Sequence, residues 1–476
     1  MASLEKYCDV YKKFAEIVAD DNIELRICEG AIYVYEKGAW SVASRSQLDN
    51  LDRKLRDASD ENNFPYAEKY SQLWRHVKSS LPMIVPEELD KLGYLALPNG
   101  TLDPDTGTLY EHDPEHLTTR RVSVDYKPQA RCPNWEKMLD RILEDKKEET
   151  RDEYKAFLQQ WFGLALVGHR IHSSRSYRKL LCLYGPERTG KTTLADVLRE
   201  LIGEADIASE NVDELCSRFG LANVVRARAI VSDDAVGLKS KVEAKILKKI
   251  ITGEPMTADR KMLQTVSFRF HGPVMITTNV LPEVKDASHA LYGRCTLLSL
   301  DRQFTPDDAA RDLEGCKSII ELLHKKKEFP GILNWALQGL ARALEAQRLP
   351  EVADATDAAN AWREDNDPIY AFLREHCEYD EKVINYQVPL SAAISVYAEV
   401  QMADRTYTPR RVRTLLGREA KNVLHGVAVT SKTFQKAQVR AMLGLKLSKE
   451  GEMYIQKARE KGLLGNEPWP VNQQSL

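Results

Sequence analysis

The chain has 476 residues, of which 43% are hydrophobic and 29% are charged, and its formal net charge is -3. That length exceeds what one ordinary hydrophobic core supports, so we expect two to four domains. The near-neutral charge excludes a chain that is basic throughout, and any contact with nucleic acid would need locally concentrated Lys and Arg.

The eight cysteines form no CxxC pair and no Cys/His cluster with the spacing of a zinc site, which indicates free thiols in a reducing compartment. The first residues carry charge throughout and lack the apolar core of a signal peptide. No apolar run is long enough to span a bilayer. We therefore expect a soluble, cytoplasmic protein.

Residues 1–93 are typical of a small α+β module. Apolar alternation on both sides of Lys37-Gly38, in GAIYVYEKGAW, predicts a β-hairpin after a helical opening. Residues 94–160 form a second predicted domain, in which turn signals such as Asn99-Gly100 separate short strands. A helical stretch is expected over residues 135–167.

Residues 161–305 contain the apolar runs KLLCLYG, RARAIVS, VSFRF, PVMITTN and RCTLLSL, which alternate with amphipathic helices. Short strands that alternate with helices predict an α/β core with a largely parallel sheet. Residues 306–350 are expected to be a helical segment. Residues 351–476 begin a separate pattern that ends in a basic region.

A glycine-rich loop follows the first of these runs. Its sequence GPERTGKT fits G-x-x-x-x-G-K-[ST], in which backbone N–H groups cradle phosphates, Lys191 neutralises the β- and γ-phosphates and Thr192 ligates Mg²⁺. The next helix presents its positive dipole end to the same anion. The alternative is a turn that merely caps a helix, but the flanking strand and helix are the context that the motif requires. The predicted nucleotide-binding residues are Gly185, Pro186, Glu187, Arg188, Thr189, Gly190, Lys191, Thr192 and Thr193.

Two acids follow the run RARAIVS. We expect Asp233 on a strand that neighbours the loop strand, where it would hold Mg²⁺ directly or through water. Asp234 would orient and polarise the attacking water. A helix N-cap or a solvated turn is the alternative for such a pair, and the phosphate loop upstream favours the catalytic interpretation.

Two further polar residues flank predicted strands. Asn279 ends PVMITTN, where an amide can hold the lytic water and sense the γ-phosphate; simple turn chemistry is the alternative. Arg294 precedes RCTLLSL, and its planar, always-charged guanidinium suits the transition-state charge on a γ-phosphate. The alternative for Arg294 is an ordinary surface residue.

The order of these motifs resembles that of the superfamily 3 helicases, the AAA+ ring motors of small DNA viruses, phages, satellites and plasmids, and especially the phage/plasmid and poxvirus-type primase-helicases. Four segments are similar to motifs of that family. The Walker A loop corresponds to GPERTGKTT, the Walker B strand to RARAIVSDD, the hairpin motif to ADRKMLQTVSFRF and the Asn-terminated strand to GPVMITTN. The Asp-Asp ending and the DRK of the hairpin also resemble the papillomavirus initiator helicase. The resemblance extends over roughly residues 94–350, because three further segments are similar to family segments: NGTLDPDTGTLYEHDP, ITGEPMTADR and FPGILNWALQGLARALEAQRLP.

The resemblance implies an AAA+ P-loop core with a parallel sheet and a helical lid, flanked by the N-terminal α+β region and a C-terminal winged-helix-like domain. It also implies a ring, expected to be a homo-hexamer, with ATP and Mg²⁺ as cofactors. In such a ring Lys191, Asp233, Asp234 and Asn279 of one subunit meet Arg294 of the next.

Three features depart from the family pattern. Asp234 stands where the primase-helicases more often carry Glu, and Met262 follows Lys261 where the initiator helicases place His. The chain ahead of the motor is short and has no paired Asp-x-Asp with a downstream His arranged as in archaeo-eukaryotic primases. We therefore do not expect primase activity from this chain.

The resemblance places the DRKMLQ hairpin in the pore of the ring. It implies that Lys261, with Arg260 and Met262 beside it, contacts a phosphate of one DNA strand, which carries no sequence information. The alternative is a charged, solvated hairpin tip.

A second DNA contact is expected in the basic C-terminal region. Residues 405–440 contain nine Arg or Lys and one acid. In TPRRVRTLLGREAKNVL, helical spacing turns the apolar residues inward and leaves Arg410, Arg411 and Arg413 outside. Relatives often carry a winged-helix module here, in which such a helix contacts duplex DNA. A solvated basic helix face is the alternative.

These features predict an ATP-dependent replicative DNA helicase of a phage, virus or mobile element, which translocates on single-stranded DNA, 3′ to 5′ if the family's polarity holds. The expected partners are single-stranded and forked DNA and a separate primase or polymerase. Two alternatives stay open: an AAA+ ATPase that loads or remodels protein partners, and an initiator that uses ATP binding only as an assembly switch. A P-loop nucleotide kinase is disfavoured because no lid of clustered arginines is expected after the loop.

Overall fold

The computed structural model describes residues 4–168, 175–215, 217, 219–225, 227–233, 241–259, 265–281, 289–404, 406–434 and 437–464. Its helices are α1 (Leu4–Asp20), α2 (Arg45–Glu61), α3 (Tyr66–Ser80), α4 (Pro133–Ile142), α5 (Glu148–Leu166), α6 (Lys191–Ile202), α7 (Val212–Leu215), α8 (Lys241–Thr252), α9 (His289–Tyr292), α10 (Pro306–Asp312), α11 (Ile319–Lys326), α12 (Phe329–Ala346), α13 (Ala353–Asn366), α14 (Pro368–His376), α15 (Gln387–Gln401), α16 (Pro409–Val423) and α17 (Lys449–Glu460). Its strands are β1 (Glu24–Cys28), β2 (Ala31–Glu36), β3 (Ala39–Val42), β4 (Leu95–Leu97), β5 (Gly100–Asp103), β6 (Thr108–Tyr110), β7 (Leu180–Tyr184), β8 (Ile207–Ala208), β9 (Ala229–Asp233), β10 (Met256–Ala258), β11 (Val266–Phe268), β12 (Val274–Thr278), β13 (Cys295–Ser299), β14 (Cys377–Tyr386), β15 (Ala428–Phe434) and β16 (Ala437–Leu447).

The chain divides into two compact units. One contains residues 1–238, 242–282 and 294–356, and the other contains residues 239–241, 283–293 and 357–476. The boundary between residues 356 and 357 lies close to the start of the predicted C-terminal domain at residue 351. The other predicted domain boundaries fall inside the first unit, and all of the predicted boundaries stay predictions.

The amino-terminal part of the first unit packs α1, α2 and α3 against an antiparallel sheet of order β1-β2-β3. The predicted hairpin is confirmed as β2 and β3, with Glu36 paired to Ala39. Lys37 and Gly38 have φ angles of 51° and 78°. Positive φ at both central residues defines a type I′ turn, whose twist matches the strands that it joins.

The next segment forms the antiparallel sheet β4-β5-β6, followed by two helices. The helical stretch predicted over residues 135–167 is therefore interrupted, between α4 and α5. The Glu328 carboxylate accepts hydrogen bonds from the backbone N–H groups of Asn134 (2.9 Å) and Trp135 (3.2 Å). A buried acid from far along the chain thus caps the amino end of α4.

A five-stranded parallel sheet of order β13-β7-β12-β9-β8 forms the centre of the first unit. Its inner strands are almost entirely buried, as is usual for a sheet covered on both faces. The predicted α/β class and parallel sheet are confirmed. VSFRF is also a strand, but it lies outside this sheet: β11 pairs antiparallel with β10, and its residues are partly exposed.

One cluster of buried residues extends from Leu95 to Ala355 and includes side chains of α4, α5, α6, the parallel sheet, α11 and α12. Within it, α5 and α12 pack backbone to backbone. A Cβ atom at Gly163 would lie 2.3 Å, and one at Gly339 2.0 Å, from a carbonyl oxygen of the other helix. Only glycine permits this approach. The helical segment predicted after residue 306 is confirmed as α10, α11 and α12.

The second unit packs α14, α15, α16 and α17 around a hydrophobic cluster, with an antiparallel sheet of order β14-β16-β15. A buried ion group connects three of its helices. Arg363 donates to Glu419 over 2.6 Å and lies 3.4 Å from Asp367, which caps α14. The winged-helix-like arrangement stays a prediction.

None of the described helices is both long and apolar enough to cross a membrane. The cysteines that the structure describes are free thiols, as the sequence predicts.

Candidate functional site

The loop from Gly185 to Gly190 connects the end of β7 to the start of α6. Gly185 has φ 138°, and a Cβ atom there would lie 2.1 Å from the carbonyl oxygen of Leu300. Gly190, at φ 91°, immediately precedes α6. Both positions need the left-handed backbone region that favours glycine. The strand, loop and helix context required by the phosphate-loop motif is therefore present.

The ammonium group of Lys191 lies inside this loop. Its Nζ donates to the carbonyl oxygens of Gly185 (2.7 Å) and Pro186 (2.5 Å) and lies 3.4 Å from the Thr189 hydroxyl. Lys191 is buried, whereas Thr192 is exposed. The loop thus places a cation at its centre and a hydroxyl at its open side.

The segment after β13 holds the outer part of the loop. The Phe304 N–H donates to the Arg188 carbonyl over 2.7 Å, and the Gln303 side chain donates to the Glu187 carbonyl over 3.3 Å. Arg188 has φ 60°, which is unusual for a residue with a side chain. These contacts stabilise a strained conformation whose side chains face solvent.

The register of the sheet brings Asp233 and Asn279 to the edge that carries the loop. Asp233 is level with Thr277, and Thr278 is level with Tyr184, the last residue before the loop. Asn279 follows directly and is exposed. One expectation is wrong: β9 does not neighbour β7, because β12 lies between them. Parallel strands still end at the same edge, so the predicted residues converge there.

The Asp233 carboxylate has two protein partners that sequence reasoning missed. Arg199 of α6 donates to its Oδ2 over 2.6 Å, and the Thr277 hydroxyl donates to its Oδ1 over 2.9 Å. Arg199 also donates to Asp196 over 2.8 Å. Burial on its own lowers the pKa of Arg199, but the hydrogen bonds to Asp233 and Asp196 raise it overall. A hydroxyl residue inside an otherwise apolar strand was the available signal for Thr277.

Arg294 lies at the opposite edge of the same sheet. Its carbonyl accepts from Leu180 at the start of β7, and the next residue, Cys295, is level with Leu180. The length of β7 separates Arg294 from the loop, about 16 Å at 3.3 Å per residue. Burial lowers the pKa of Lys179, and the charge of Arg294 lowers it further. Arg294 is therefore not brought together with the phosphate loop of its own chain.

A cavity of about 510 Å³ opens beside the loop. On one side it is lined by Arg188, Gly190 and Thr193 of the predicted nucleotide-binding segment. Its apolar lining comes from α4, α10, α11 and their flanks: Met138, Phe304, Ala309, Leu313, Ile319 and Ile320. Sequence reasoning missed this cavity, because its walls come from segments far apart in the chain.

Charged residues fix the wall of the cavity that α10 provides. Arg141 donates to Asp308 (2.7 Å) and Asp312 (3.1 Å), and Arg302 donates to Asp308 over 2.8 Å. The hydrogen bond from Arg302 is the largest cause that lowers the pKa of Asp308 to about 2. Arg311, on α10 itself, also joins this group. The carboxylates neutralise these arginines.

Four predicted site residues lie outside the described residues: Asp234, Arg260, Lys261 and Met262. The strands on either side of the hairpin motif are described. They pair antiparallel, with Ala258 opposite Val266.

The three predicted arginines of the second unit lie in the first turns of α16. Thr408 caps this helix and accepts from the Arg411 N–H. Arg410 and Arg413 are exposed. Arg411 differs from the expectation, because its guanidinium lies 4.3 Å from the centre of the Tyr407 ring and donates to Thr406, which leaves it half-buried.

Two family models match parts of the chain. Residues 183–294 match a family of unknown function, DUF5906, and residues 12–144 match a family described as D5 N terminal like. The first match contains the phosphate loop, Asp233, Asn279 and Arg294, so these residues all lie within one matched segment. The second match crosses the predicted domain boundary at residue 93.

Curated relatives are papillomavirus proteins named replication protein E1. The chain is 28% identical over 141 residues to the protein of Bos taurus papillomavirus 2, which covers 28% of this chain and 23% of the relative. It is 29% identical over 148 residues to that of Human papillomavirus 66 (31% and 22% covered) and 31% identical over 122 residues to that of Human papillomavirus 30 (26% and 18% covered). The matched part spans about a fifth of these relatives' length.

Among solved structures, the chain is similar to the apo NrS-1 C-terminal region. One such structure has a TM-score of 0.44 and 12% identity, with 92% of this chain and all of that chain covered. Another has a TM-score of 0.41 and the same identity.

Proposed function

We propose that the chain is an ATP-dependent DNA helicase that acts in replication of a phage, virus or mobile element. One observation carries the proposal: the sheet register brings the Lys191 loop, Asp233 and Asn279 to one edge and leaves Arg294 at the other. The first three form half of a nucleotide-cleaving site, and the fourth can complete such a site only in a neighbouring copy. Similarity to replication proteins E1 supports the assignment to DNA replication.

The loop has the chemistry to hold a triphosphate. Its backbone N–H groups and the amino end of α6 attract anions. A bound phosphate would draw the Lys191 ammonium away from the carbonyls of Gly185 and Pro186, which it contacts in the structure. The apolar part of the lining of the cavity beside Gly190 and Thr193 suits a nucleoside base, and acidic side chains such as Asp308 and Asp312 line part of the rest.

The donor set at the sheet edge fits Mg²⁺ delivered with a nucleotide. The described residues contain no group of three or more His, Cys, Asp or Glu side chains that could hold a metal alone. Mg²⁺ commonly takes one or two protein oxygens and completes its shell with phosphates and water. Thr192 and Asp233 are the residues that would hold it, and it would neutralise charge on the phosphates. Asp234 and Asn279 would orient the attacking water.

The position of Arg294 favours a ring of identical subunits. An arginine about 16 Å from the loop of its own chain can only act on the phosphates of another subunit. Closed symmetry repeats the same contact at every interface, and a hexamer is the expected form.

Two basic elements would contact DNA. Lys261, with Arg260 and Met262, would grip the backbone of one strand in the pore. Arg410 and Arg413 on the first turns of α16 are exposed and suited to phosphates of a duplex ahead of the ring. Translocation would run 3′ to 5′, and a separate primase or polymerase would supply synthesis.

A forked-duplex assay tests the proposal. We expect the wild-type protein to separate the strands when ATP and Mg²⁺ are present, and single-stranded DNA to raise its rate of ATP hydrolysis. Lys191→Ala should lower both activities by about 100-fold or more. Lys155→Ala, which removes a half-buried lysine on α5 that pairs with Asp140, is the matched control.

The same assay separates the alternatives. Lys261→Ala should abolish the stimulation of hydrolysis by DNA. If DNA does not change the rate of ATP hydrolysis and the strands are not separated, the result would instead favour an ATPase that remodels protein partners. ATP binding without hydrolysis would favour an initiator that uses the nucleotide as an assembly switch.

A further inference from the structure

Each oxygen of the Asp233 carboxylate accepts a hydrogen bond from a protein donor, and the side chain is 47% exposed. Arg199 contacts Oδ2 at 2.6 Å, and the Thr277 hydroxyl contacts Oδ1 at 2.9 Å. The two contacts differ in kind. Thr277 is a neutral neighbour on β12, level with Asp233 in the sheet, whereas Arg199 brings a full positive charge from α6. One of the two carboxylate oxygens, Oδ2, is therefore paired with a cation of the protein itself.

Arg199 is placed to reach this oxygen and to leave it. It lies eight residues after Lys191 on α6, about 12 Å along the helix. Its side chain is 12% exposed, and it lines the cavity beside the phosphate loop. Its other nitrogen donates to Asp196 over 2.8 Å, one turn earlier on the same helix. Asp196 is thus a second acceptor that stays available when Arg199 gives up Asp233.

We propose that Arg199 is an internal counter-ion that competes with Mg²⁺ for the carboxylate of Asp233. The inference rests on the proposed function, and it assigns Arg199 as a positioning residue. A Mg²⁺ ion held by Asp233, directly or through water, would lie close to the Arg199 guanidinium, and repulsion between the two cations would oppose the binding of both to one carboxylate. When the metal arrives with the nucleotide, Arg199 releases Oδ2 and pairs with Asp196 alone, while Thr277 keeps Asp233 in place.

This exchange gives the site two defined states. Without nucleotide, Arg199 neutralises Asp233 and links α6 to the end of β9. With nucleotide and metal, that link between the phosphate-loop helix and the sheet is broken. The ion pair between Arg199 and Asp233 is thus present when the loop is empty and absent when the loop holds nucleotide and metal.

Three variants test the competition: Arg199→Gln, Asp196→Asn and the double variant. The measurement is the Mg²⁺ concentration that gives half-maximal binding of a fluorescent ATP analogue to the full chain, without turnover. Arg199→Gln should lower this concentration by about threefold or more, because the competing cation is gone. Asp196→Asn should raise it by a similar factor, because Arg199 then has only Asp233. Lys155→Gln, which removes a lysine of α5, is the control and should leave it unchanged.

The double variant distinguishes competition from a general field effect. If Asp196 acts only through Arg199, then Asp196→Asn changes nothing in the Arg199→Gln background. Independent shifts that simply add would overturn the proposal, and so would shifts of both single variants in the same direction. If Arg199→Gln does not fold, the same measurement is made on Asp196→Asn and on Arg199→Lys. Arg199→Lys keeps the positive charge on a shorter side chain. A wild-type protein that binds no nucleotide would refute the proposed function, whereas unchanged half-saturation in variants that bind it refutes this inference alone.

Discussion

Gly185 is the residue whose replacement most directly tests the loop geometry. A side chain at this position is unfavourable for two reasons. The backbone has a φ of 138°, and a Cβ atom would lie 2.1 Å from the Leu300 carbonyl oxygen. That carbonyl belongs to the segment after β13, which also holds the outer loop. A side chain at Gly185 would therefore disturb both the loop and its support.

We expect Gly185→Ala to lower the free energy of unfolding by about 1–3 kcal/mol more than Gly315→Ala does. Gly315 is the matched control, because it has a positive φ of 80° but nothing within 4 Å of the added Cβ atom. Urea unfolding of both variants measures the difference. Equal losses would show that the close approach to Leu300 does not exist in solution.

Single residues also show what sequence could and could not reveal about the site. Lys191 and the loop glycines follow from a sequence motif that is typical of phosphate-binding loops. Asp233 and Asn279 follow from strand ends. Arg199 was missed because its partner depends on which strand lies beneath α6, and strand order is a property of the sheet rather than of any one segment.

The α5–α12 pair is the element whose packing is most restrictive. Gly339 lets the two backbones approach, since a Cβ atom there would lie 2.0 Å from the Gln159 carbonyl. This contact connects the helix before the phosphate-loop strand with the long helix after α11. It stabilises the core on which the loop is built.

Gly339→Ala should destabilise the protein by about 1–3 kcal/mol, although alanine favours a helix by about 1 kcal/mol over glycine. Gln338→Ala, at the exposed neighbouring position, should change the stability by less than about 0.5 kcal/mol. Thermal unfolding compares the two. A stabilised Gly339→Ala variant would contradict the close helix packing.

The amino end of α14 contains a carboxylate whose ionisation is disfavoured. Burial is the largest cause that raises the pKa of Asp367 from 3.8 to about 6, against the effect of the Arg363 charge. The folded state therefore holds this proton over a pH range where the unfolded chain releases it. The contribution of Asp367 to stability is present below about pH 4 and decreases as the pH rises toward the folded pKa of about 6.

Asp367→Asn should remove this dependence while keeping an acceptor for the N–H groups of Ile369 and Tyr370. The difference in unfolding free energy, wild type minus variant, should fall by an amount on the order of 2–3 kcal/mol between about pH 4 and about pH 7. Urea titrations at several pH values measure it. A difference that is constant with pH, or that grows with it, would show that folding does not raise the pKa of Asp367.

Helices, strands and turns could be predicted from the sequence where nearby residues determine the local structure. The hairpin at Lys37-Gly38 follows from the turn type, and four runs in residues 161–305 follow from strands buried on both faces. The sequence did not indicate that β12 separates β7 from β9. It also did not indicate that α4 and α10 close a cavity beside Gly190, because distant segments meet there.

For the whole molecule, the central claim is that ATP is cleaved between two copies of the chain. The parallel sheet supports this claim, because the loop follows the carboxyl end of β7 and Arg294 lies level with the amino end of the same strand. Under the proposed function, each chain would offer a nucleotide-holding face and an arginine-bearing face, and neither face would be sufficient alone.

Mixing two inactive variants tests that claim most directly. Lys191→Ala lacks a working loop and Arg294→Ala lacks the arginine. Each alone should hydrolyse ATP about 1000-fold or more slower than wild type, because an arginine of this kind contributes about 10³–10⁵ to kcat. Co-assembled in equal amounts, they should recover about a quarter of the wild-type rate, since one interface in four pairs an intact loop with an intact Arg294 in a randomly mixed closed ring. Full activity of Arg294→Ala alone, or a mixture no faster than its components, would contradict a shared site.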